Sequence, residues 1–161
     1  MNRFSRAITL VVLAAFAAVP GAHAAEQRPM DGWYMVALVA AEPRCGPNAI
    51  TLGFEGSGIA THFGRMSGTA SNCTEPSLGS SSVAIWDGVA TFVAADGSTV
   101  TVAYDGRQAA PDGGVAAVST SNNVISGTGR FAGASGSWVA TGEVDFATGV
   151  FMGSFSGWIR Y

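Results

Sequence analysis

The segment 86-WDGVATFVAADGSTVTVAYDG-106 decides the fold class, because Asp-Gly pairs separate its short runs of β-branched and aromatic residues. The pairs are Asp87-Gly88, Asp96-Gly97 and Asp105-Gly106, and they recur every nine residues. Calcium-binding nonapeptide repeats need paired glycines ahead of the aspartate, and none precedes these three. Asp-Gly between β-branched residues favours a hairpin turn instead. The segment therefore predicts a meander of antiparallel strands, with a turn and no calcium at each pair.

The rest of the chain repeats this pattern of short strands and breaks. Beyond the N-terminal region it is rich in Gly, Thr, Ser and Val and contains no Lys, a composition typical of strands and turns. The predicted strands are 33–39, 50–56, 58–68, 82–86, 89–95, 98–104, 115–124, 137–144 and 150–159. The segments 41–49, 69–81 and 107–114 are predicted to be loops. These elements predict an all-β, antiparallel domain.

The N-terminus has the three parts of an export signal. Arg3 and Arg6 form a basic start, and the apolar run 7–19 is shorter than the roughly 20 residues that span a bilayer. Ala22-His23-Ala24 has the small-x-small pattern of a cleavage site. We therefore predict that residues 1–24 are a cleaved signal peptide. The protein is then exported to the periplasm or the extracellular space, without membrane insertion.

The charge of the chain limits its partners. Eleven acidic residues stand against 8 basic ones, giving a formal net charge of -3, and the arginines are scattered singly. Such a chain is a poor match for the phosphates of a nucleic acid. It also has no basic face that would attract an anionic membrane. We predict no nucleic-acid partner.

Cys45 and Cys73 are the two cysteines of the chain. In an exported protein an even pair indicates a disulfide bond. The alternative is a metal site that uses both thiolates and His62, but the spacing fits no zinc pattern. We predict the disulfide, and no metal.

The glycine-rich segment 127-GTGRFAGASG-136 is followed by a hairpin-like tail that turns at 145–149. This segment resembles the glycine-rich region near the C-terminus of dirigent proteins and of allene oxide cyclase-like barrels. A second segment, 58-GIATHFGRMSGT-69, resembles one that recurs in bacterial secreted proteins of the same barrel type. The resemblance covers about 50–159. It divides the chain into the signal peptide, an N-terminal segment 25–49 and a barrel domain 50–161.

The resemblance implies a small, closed antiparallel β-barrel of about eight strands, whose lumen holds a small, largely apolar molecule without a cofactor. Nine strands are predicted, so one of them is either not a strand or lies outside the barrel, and 33–39 is the first choice. Some relatives are cofactor-free cyclases or isomerases, and dirigent proteins steer radical coupling. Members often form trimers, and the resemblance therefore implies a homo-oligomer here. Gly127, Gly129 and Gly133 would form a structural loop, in which Arg130 braces backbone carbonyls.

Several side chains are candidates for chemistry. His62 is either a general acid or base or a hydrogen-bonded structural residue. Glu55 and Glu143 lie inside predicted strands, where a carboxylate facing an apolar lumen can act as an acid or base. A carboxylate facing outward is a surface charge, and the alternation of residues around Glu55 leaves its face open. We take Glu55 and His62 as the catalytic candidates.

The candidate ligand contacts are Trp86, Tyr104, Trp138 and Glu143, since aromatic side chains commonly line small binding sites. The aromatic residues can equally fill the core.

The chain has no serine-hydrolase elbow, zinc-protease helix motif or phosphate-binding loop. Three hypotheses remain: a ligand-binding barrel without bond-making chemistry, a cofactor-free cyclase or isomerase, and a structural or surface-interaction module with a solid core. The lumen and its lining distinguish them.

Overall fold

A computed structural model of the protein describes residues 26–76 and 81–161, and the predicted signal peptide lies outside the described residues. Eight antiparallel strands follow one another around a closed barrel in sequence order. They are β1 (Gln27–Val39), β2 (Ile50–Ala60), β3 (Gly64–Thr74), β4 (Ser82–Ala94), β5 (Thr99–Ala109), β6 (Val115–Gly127), β7 (Ser135–Asp145) and β8 (Val150–Arg160). A short 3-10 turn, Gly129–Phe131, lies between β6 and β7. The all-β class, the meander and the closed eight-stranded barrel are confirmed.

Of the three Asp-Gly pairs, one is a hairpin turn. Asp96-Gly97 lies in the connection 95–98 between β4 and β5, where Asp96 Oδ1 accepts a hydrogen bond from the Ser98 amide at 3.0 Å. Asp105-Gly106 lies inside β5 and Asp87-Gly88 inside β4. The turns predicted at these two pairs are wrong, and the predicted strands 82–86 and 89–95 form one strand.

The pair at Asp87 is a β-bulge. Asp87 has a φ of 50°, and the register between β4 and β5 shifts between Ile85 and Gly88. The guanidinium of Arg44 donates a hydrogen bond to the Asp87 carbonyl. Because a bulge adds one residue, it exchanges the two faces of a strand. Ile85 on one side of the bulge and Ala90 on the other therefore both face the lumen, although their numbers differ in parity.

The barrel begins earlier in the chain than predicted. The segment 33–39, which we expected outside the barrel, is part of β1 and pairs with both β2 and β8. The barrel therefore starts at Gln27 instead of residue 50. Both faces of this segment carry apolar side chains, so its sequence alternation does not reveal a strand with one buried face.

The predicted strand 58–68 is also wrong, because a turn at 61–63 divides it between β2 and β3. His62 and Gly64 have φ values of 68° and 67°, so the chain reverses there without an Asn-Gly or Asp-Gly signal. Strand β3 then runs to Thr74, through residues that we predicted to be loop. These residues are small and polar, and their strand conformation comes from pairing with β2 and β4.

One end of the lumen is filled. The turns 61–63 and 95–98 and the 3-10 turn lie at this end, which we call the closed end. Phe63 and Phe131 are fully buried and stack with ring centroids 4.7 Å apart. The Tyr161 ring packs edge-on against Phe131 at 4.9 Å. Other fully or nearly fully buried core side chains here are Met30, Val100, Val102, Trp138, Phe155 and Ile159.

The connections 40–49, 110–114 and 146–149 lie at the other end of the barrel, which we call the open end. Cys45 and Cys73 form the predicted disulfide, with an S–S distance of 2.03 Å. The bond joins the connection 40–49 to strand β3. Beside it, Arg44 also donates a hydrogen bond to the Ser71 carbonyl at 3.1 Å. The disulfide and Arg44 together hold this connection against the rim.

No helix within the described residues is long and apolar enough to cross a membrane.

Replacing both cysteines by serine should destabilise the barrel. The disulfide closes a loop with a sequence separation of 28. Loop-closure entropy then predicts that the double variant Cys45→Ser, Cys73→Ser loses roughly 3 kcal/mol of unfolding free energy. Urea unfolding followed by circular dichroism measures the loss. Reductant should lower the wild-type midpoint to that of the variant and leave the variant unchanged. Equal midpoints for the oxidised wild type and the variant would contradict the stabilising role.

Candidate functional site

A cavity of about 120 Å³ lies in the lumen toward the open end. One water molecule needs roughly 10–15 Å³, so the cavity has room for a small organic molecule. Its walls are mainly apolar and come from strands on all sides of the barrel. They include Val36, Leu52, Phe92, Val118, Val144 and Phe151.

Small residues on three neighbouring strands create this space. Gly56 on β2 is the cross-strand partner of Gly68 on β3, and Ala70 on β3 is the partner of Ala90 on β4. All four line the cavity. These four positions have no large side chain, so they do not fill the space between themselves and the aromatic side chains on the other walls. The cavity is thus built into the residue pattern of β2, β3 and β4.

Polar groups in the lumen are few, and most of them are paired within the protein. Tyr104 Oη donates a hydrogen bond to Asn72 Oδ1 at 3.1 Å, and Asn72 Nδ2 donates to the Cys73 carbonyl at 3.2 Å. Asn122 Nδ2 donates to Thr120 Oγ1 at 3.1 Å. These pairings fix the Asn72 and Asn122 side chains against the wall.

Tyr34 differs from these groups. Its side chain lines the cavity, and its Oη makes no hydrogen bond to any group of the described residues. Every fully buried polar side-chain atom of the described residues has a partner. The unpaired Tyr34 Oη must therefore reach the open space of the cavity. The ring is held by Phe151 and Phe155, with centroids 5.3 and 6.0 Å away.

The cavity is electrostatically neutral at ordinary pH. Burial raises the pKa of Tyr34 to about 12. The pKa of Tyr104 is raised as well, first by burial and second by the charge that Tyr34 would carry on ionising. Both phenols therefore stay protonated. None of the described residues that line the cavity is Asp, Glu, Lys, Arg or His. The site offers neutral hydrogen bonding inside an apolar wall.

Neither glutamate predicted for the lumen faces it. Phe54 and Val144 line the cavity, so the residues next to them, Glu55 and Glu143, point to the outside of the barrel and are exposed. The sequence left the face of Glu55 open, because apolar residues alternate with small ones there. The predictions that Glu55 acts in the lumen as a catalytic group and that Glu143 contacts a ligand there are therefore wrong.

His62 lies in the turn at the closed end, away from the cavity. Its Nε2 is 3.0 Å from the Pro29 carbonyl oxygen, to which it can only donate. Its ring packs edge-on against Tyr161, with centroids 5.8 Å apart. These contacts fit the hydrogen-bonded alternative that the sequence left open, and the prediction that His62 lies in the lumen is wrong.

The three aromatic candidates have different positions. Tyr104 lines the cavity, as predicted for a ligand contact. Trp138 is buried below it and packs against Phe92, a cavity residue, with ring centroids 6.1 Å apart. Trp86 lies at the bulge, half-buried, and does not line the cavity.

Sequence reasoning missed Tyr34. The alternation of Tyr34, Val36 and Leu38 with Trp33 and Met35 was the available signal, and both sets are apolar.

The glycine-rich segment forms a compact loop at the closed end. Gly129 and Gly133 have φ values of 59° and 76°, a conformation that favours glycine. At Gly127 a Cβ would lie 2.2 Å from the Phe131 carbonyl oxygen, so only glycine fits without a shift of the backbone. These glycines place Phe131 in the core.

Arg130 links this loop to two other turns. Its guanidinium forms an ion pair with Asp96 at 2.9 Å and donates a hydrogen bond to the His62 carbonyl. The pKa of the exposed Asp96 carboxyl is lowered, mainly by its hydrogen bond from the Ser98 amide. Arg130 thus braces the carbonyl of a neighbouring turn, and the loop has no contact with the cavity.

Comparisons with known proteins concern the fold. No family model matches the chain, and no curated protein matches it either. The chain is similar in fold to dirigent proteins. The pterocarpan synthase dirigent protein PsPTS1 superposes with a TM-score of 0.49 at 16% identity, covering 86% of this chain and 97% of that one. The pterocarpan synthase dirigent protein GePTS1 gives a TM-score of 0.45 at 16% identity, with 85% and 92% covered. At this identity, no site residue is carried over from them.

The two lumen tyrosines should differ in their effect on stability. Tyr104→Phe removes the donor to Asn72 Oδ1, so it should lower the free energy of unfolding by roughly 1–3 kcal/mol. Tyr34→Phe removes a hydroxyl without a partner and should leave stability equal or higher. Urea unfolding of both variants measures this. An equal loss in the two variants would show that Tyr34 is also hydrogen-bonded within the protein.

Stability should fall in alkaline solution because of the buried phenols. The folded protein holds the Tyr34 proton to about pH 12, whereas the unfolded chain releases it near its ordinary value of 10.0. The contribution is therefore complete below about pH 10 and is lost as the pH rises to about 12. Unfolding free energy measured across this range should fall less steeply in Tyr34→Phe than in wild type. Parallel curves for the two proteins would contradict the raised pKa.

Proposed function

We propose that the protein binds a small, largely apolar and uncharged molecule in the lumen of its barrel, without a cofactor and without bond-making chemistry. The observation that carries the proposal is the cavity of about 120 Å³ toward the open end. Apolar walls with a few fixed polar groups are typical of small-molecule sites. A lumen packed solid would instead have favoured a purely structural module.

Charge at the mouth supports an uncharged ligand. The rim of the open end carries Glu42, Glu75, Asp112 and Asp145. Arg44 and Arg107 also lie near this end, and each donates hydrogen bonds to neighbouring groups. A negative rim disfavours the approach of anions, and a wall without charged side chains offers an ion of either sign no compensation for its lost hydration.

The positions of the candidate acids and bases favour binding over catalysis. Glu55, the acid or base proposed for a cyclase or isomerase, faces the exterior, and His62 lies at the closed end. The ionisable groups of the described lining are Tyr34 and Tyr104, whose raised pKa values make them weak acids. Tyr34 can donate a hydrogen bond to a ligand, whereas Tyr104 already donates to Asn72 Oδ1, and neither phenol has much tendency to release a proton.

We further propose that the protein works outside the cytoplasm, as the predicted signal peptide indicates. The disulfide between Cys45 and Cys73 supports this location, because such bonds persist in oxidising compartments. A ligand taken up there would meet the open end of the barrel directly.

Fluorescence of N-phenyl-1-naphthylamine, an uncharged apolar dye, tests the proposed function. We expect its emission to increase on binding to the wild-type protein. Ala70→Trp fills the cavity and should weaken binding by about tenfold or more. Ala117→Trp is the matched control, because Ala117 lies on the exposed face of β6. Circular dichroism confirms that both variants are folded.

Two results would refute lumenal binding. The first is an unchanged dye emission in the presence of the wild-type protein. The second is equal loss of binding in Ala70→Trp and Ala117→Trp, which would place the dye elsewhere. The anionic dye 1-anilinonaphthalene-8-sulfonate serves as a charge control. It should bind more weakly than the uncharged dye, by an amount that diminishes at high salt.

A further inference from the structure

We infer that the lumen selects a ligand with a hydrogen-bond-accepting oxygen, of the class of apolar ketones and esters, and that Tyr34 Oη donates the hydrogen bond to it. This inference rests on the proposed function and specifies which chemical group the cavity recognises. Tyr34 is then the residue that determines specificity.

The contrast between the two lumen tyrosines is the first support. Tyr104 Oη donates a hydrogen bond to Asn72 Oδ1 at 3.1 Å, and Asn72 Nδ2 in turn donates one to the Cys73 carbonyl. Tyr34 Oη has no such acceptor among the described residues and reaches the cavity. A hydroxyl that reaches an apolar cavity with no acceptor in the protein is free to donate to a ligand, so a ligand oxygen that accepts its hydrogen bond is favoured.

The fixed position of Tyr34 is the second support. Its ring packs against Phe151 at 5.3 Å and Phe155 at 6.0 Å, both on β8. A hydroxyl on a ring held in this way can move little, so a ligand must bring its acceptor to it. Such a preorganised donor has little entropy to lose on binding. Because the phenol stays protonated at ordinary pH, the donor is always present.

The surroundings of the hydroxyl define the rest of the ligand. Val36 and Val144 belong to the same apolar cluster as Tyr34, and Phe54 adds aromatic surface elsewhere in the lining. Among the other polar side chains of the lining, those of Asn72, Asn122 and Tyr104 make internal hydrogen bonds, whereas that of Gln108, nearer the open end, has no side-chain hydrogen bond to the described residues. A molecule with one accessible oxygen on a hydrocarbon or aromatic body satisfies both the donor and the walls. A carboxylate would also accept from Tyr34, but it would be buried without a cation among the described lining residues.

A matched pair of small probes tests the inference. Acetophenone and α-methylstyrene have nearly the same shape and differ in a carbonyl oxygen replaced by a methylene group. Their affinities are measured by displacement of N-phenyl-1-naphthylamine from the wild type, Tyr34→Phe and Tyr104→Phe. In the wild type we expect acetophenone, relative to α-methylstyrene, to gain about three- to tenfold from the hydrogen bond. Tyr34→Phe should abolish this gain, and Tyr104→Phe should keep it.

The infrared carbonyl stretch of bound acetophenone gives an independent readout. A hydrogen bond lowers its frequency, so the band should lie lower in the wild type and in Tyr104→Phe than in Tyr34→Phe. A merely structural role of Tyr34 would not produce this difference.

The outcomes separate the two proposals. Failure of the uncharged dye to bind the wild type would overturn the proposed function, and this inference with it. Dye binding combined with equal relative affinities of the two probes in wild type and Tyr34→Phe would overturn the inference alone. An unchanged carbonyl frequency in Tyr34→Phe would do the same, because Tyr34 Oη would then bind only water.

Discussion

The pairing of β1 with β8 is the constraint on which the rest of the structure depends. The two strands are in register from Gln27 with Arg160 to Ala37 with Val150, and this pairing closes the sheet. A closed sheet has no free edges and must divide every strand into an inner and an outer face. Tyr34 faces the lumen, and Glu143 on β7 faces outward, because of that division. The N-terminal strand is therefore essential to the site, although it was the strand least apparent from the sequence.

Within the closed barrel, the lumen is divided into a packed end and an open end by the sizes of its side chains. Phe63, Phe131 and Trp138 fill one end, and the Arg130 ion pair with Asp96 ties together the turns that cover it. Glycines and alanines on β2, β3 and β4 leave the other end hollow. Rigid packing at one end supports a cavity at the other, because the walls of the cavity rest on a core that cannot collapse into it.

The bulge at Asp87 adjusts this arrangement at the rim. It turns Ile85 inward and leaves Trp86 half-buried outside the cavity. Arg44 and the disulfide of Cys45 lie against the same part of the rim, so one connection holds both β3 and β4 in place. The position of Asn72, and through it that of Tyr104, follows from this fixed rim. The hydrogen bonds of Asn72 and Tyr104 thus lie directly beside the disulfide, although neither cysteine lines the cavity.

The sequence by itself determined the all-β class, the succession of antiparallel strands and the pairing of the two cysteines. Composition, turn residues and cysteine number are local properties, and they can be read without knowing which strands meet. It also predicted Tyr104 as a cavity residue. The closed eight-stranded barrel came from the resemblance carried by the glycine-rich segment.

Only the tertiary structure decided which face of each strand is the lumen. That choice depends on closure and on single-residue bulges, and a shift of one residue exchanges the faces of an entire strand. Glu55 and Tyr34 illustrate the consequence: each stands in a strand whose two faces look alike in sequence. The first proved to be a surface charge and the second the unpaired hydroxyl of the cavity, because closure turned one outward and the other inward.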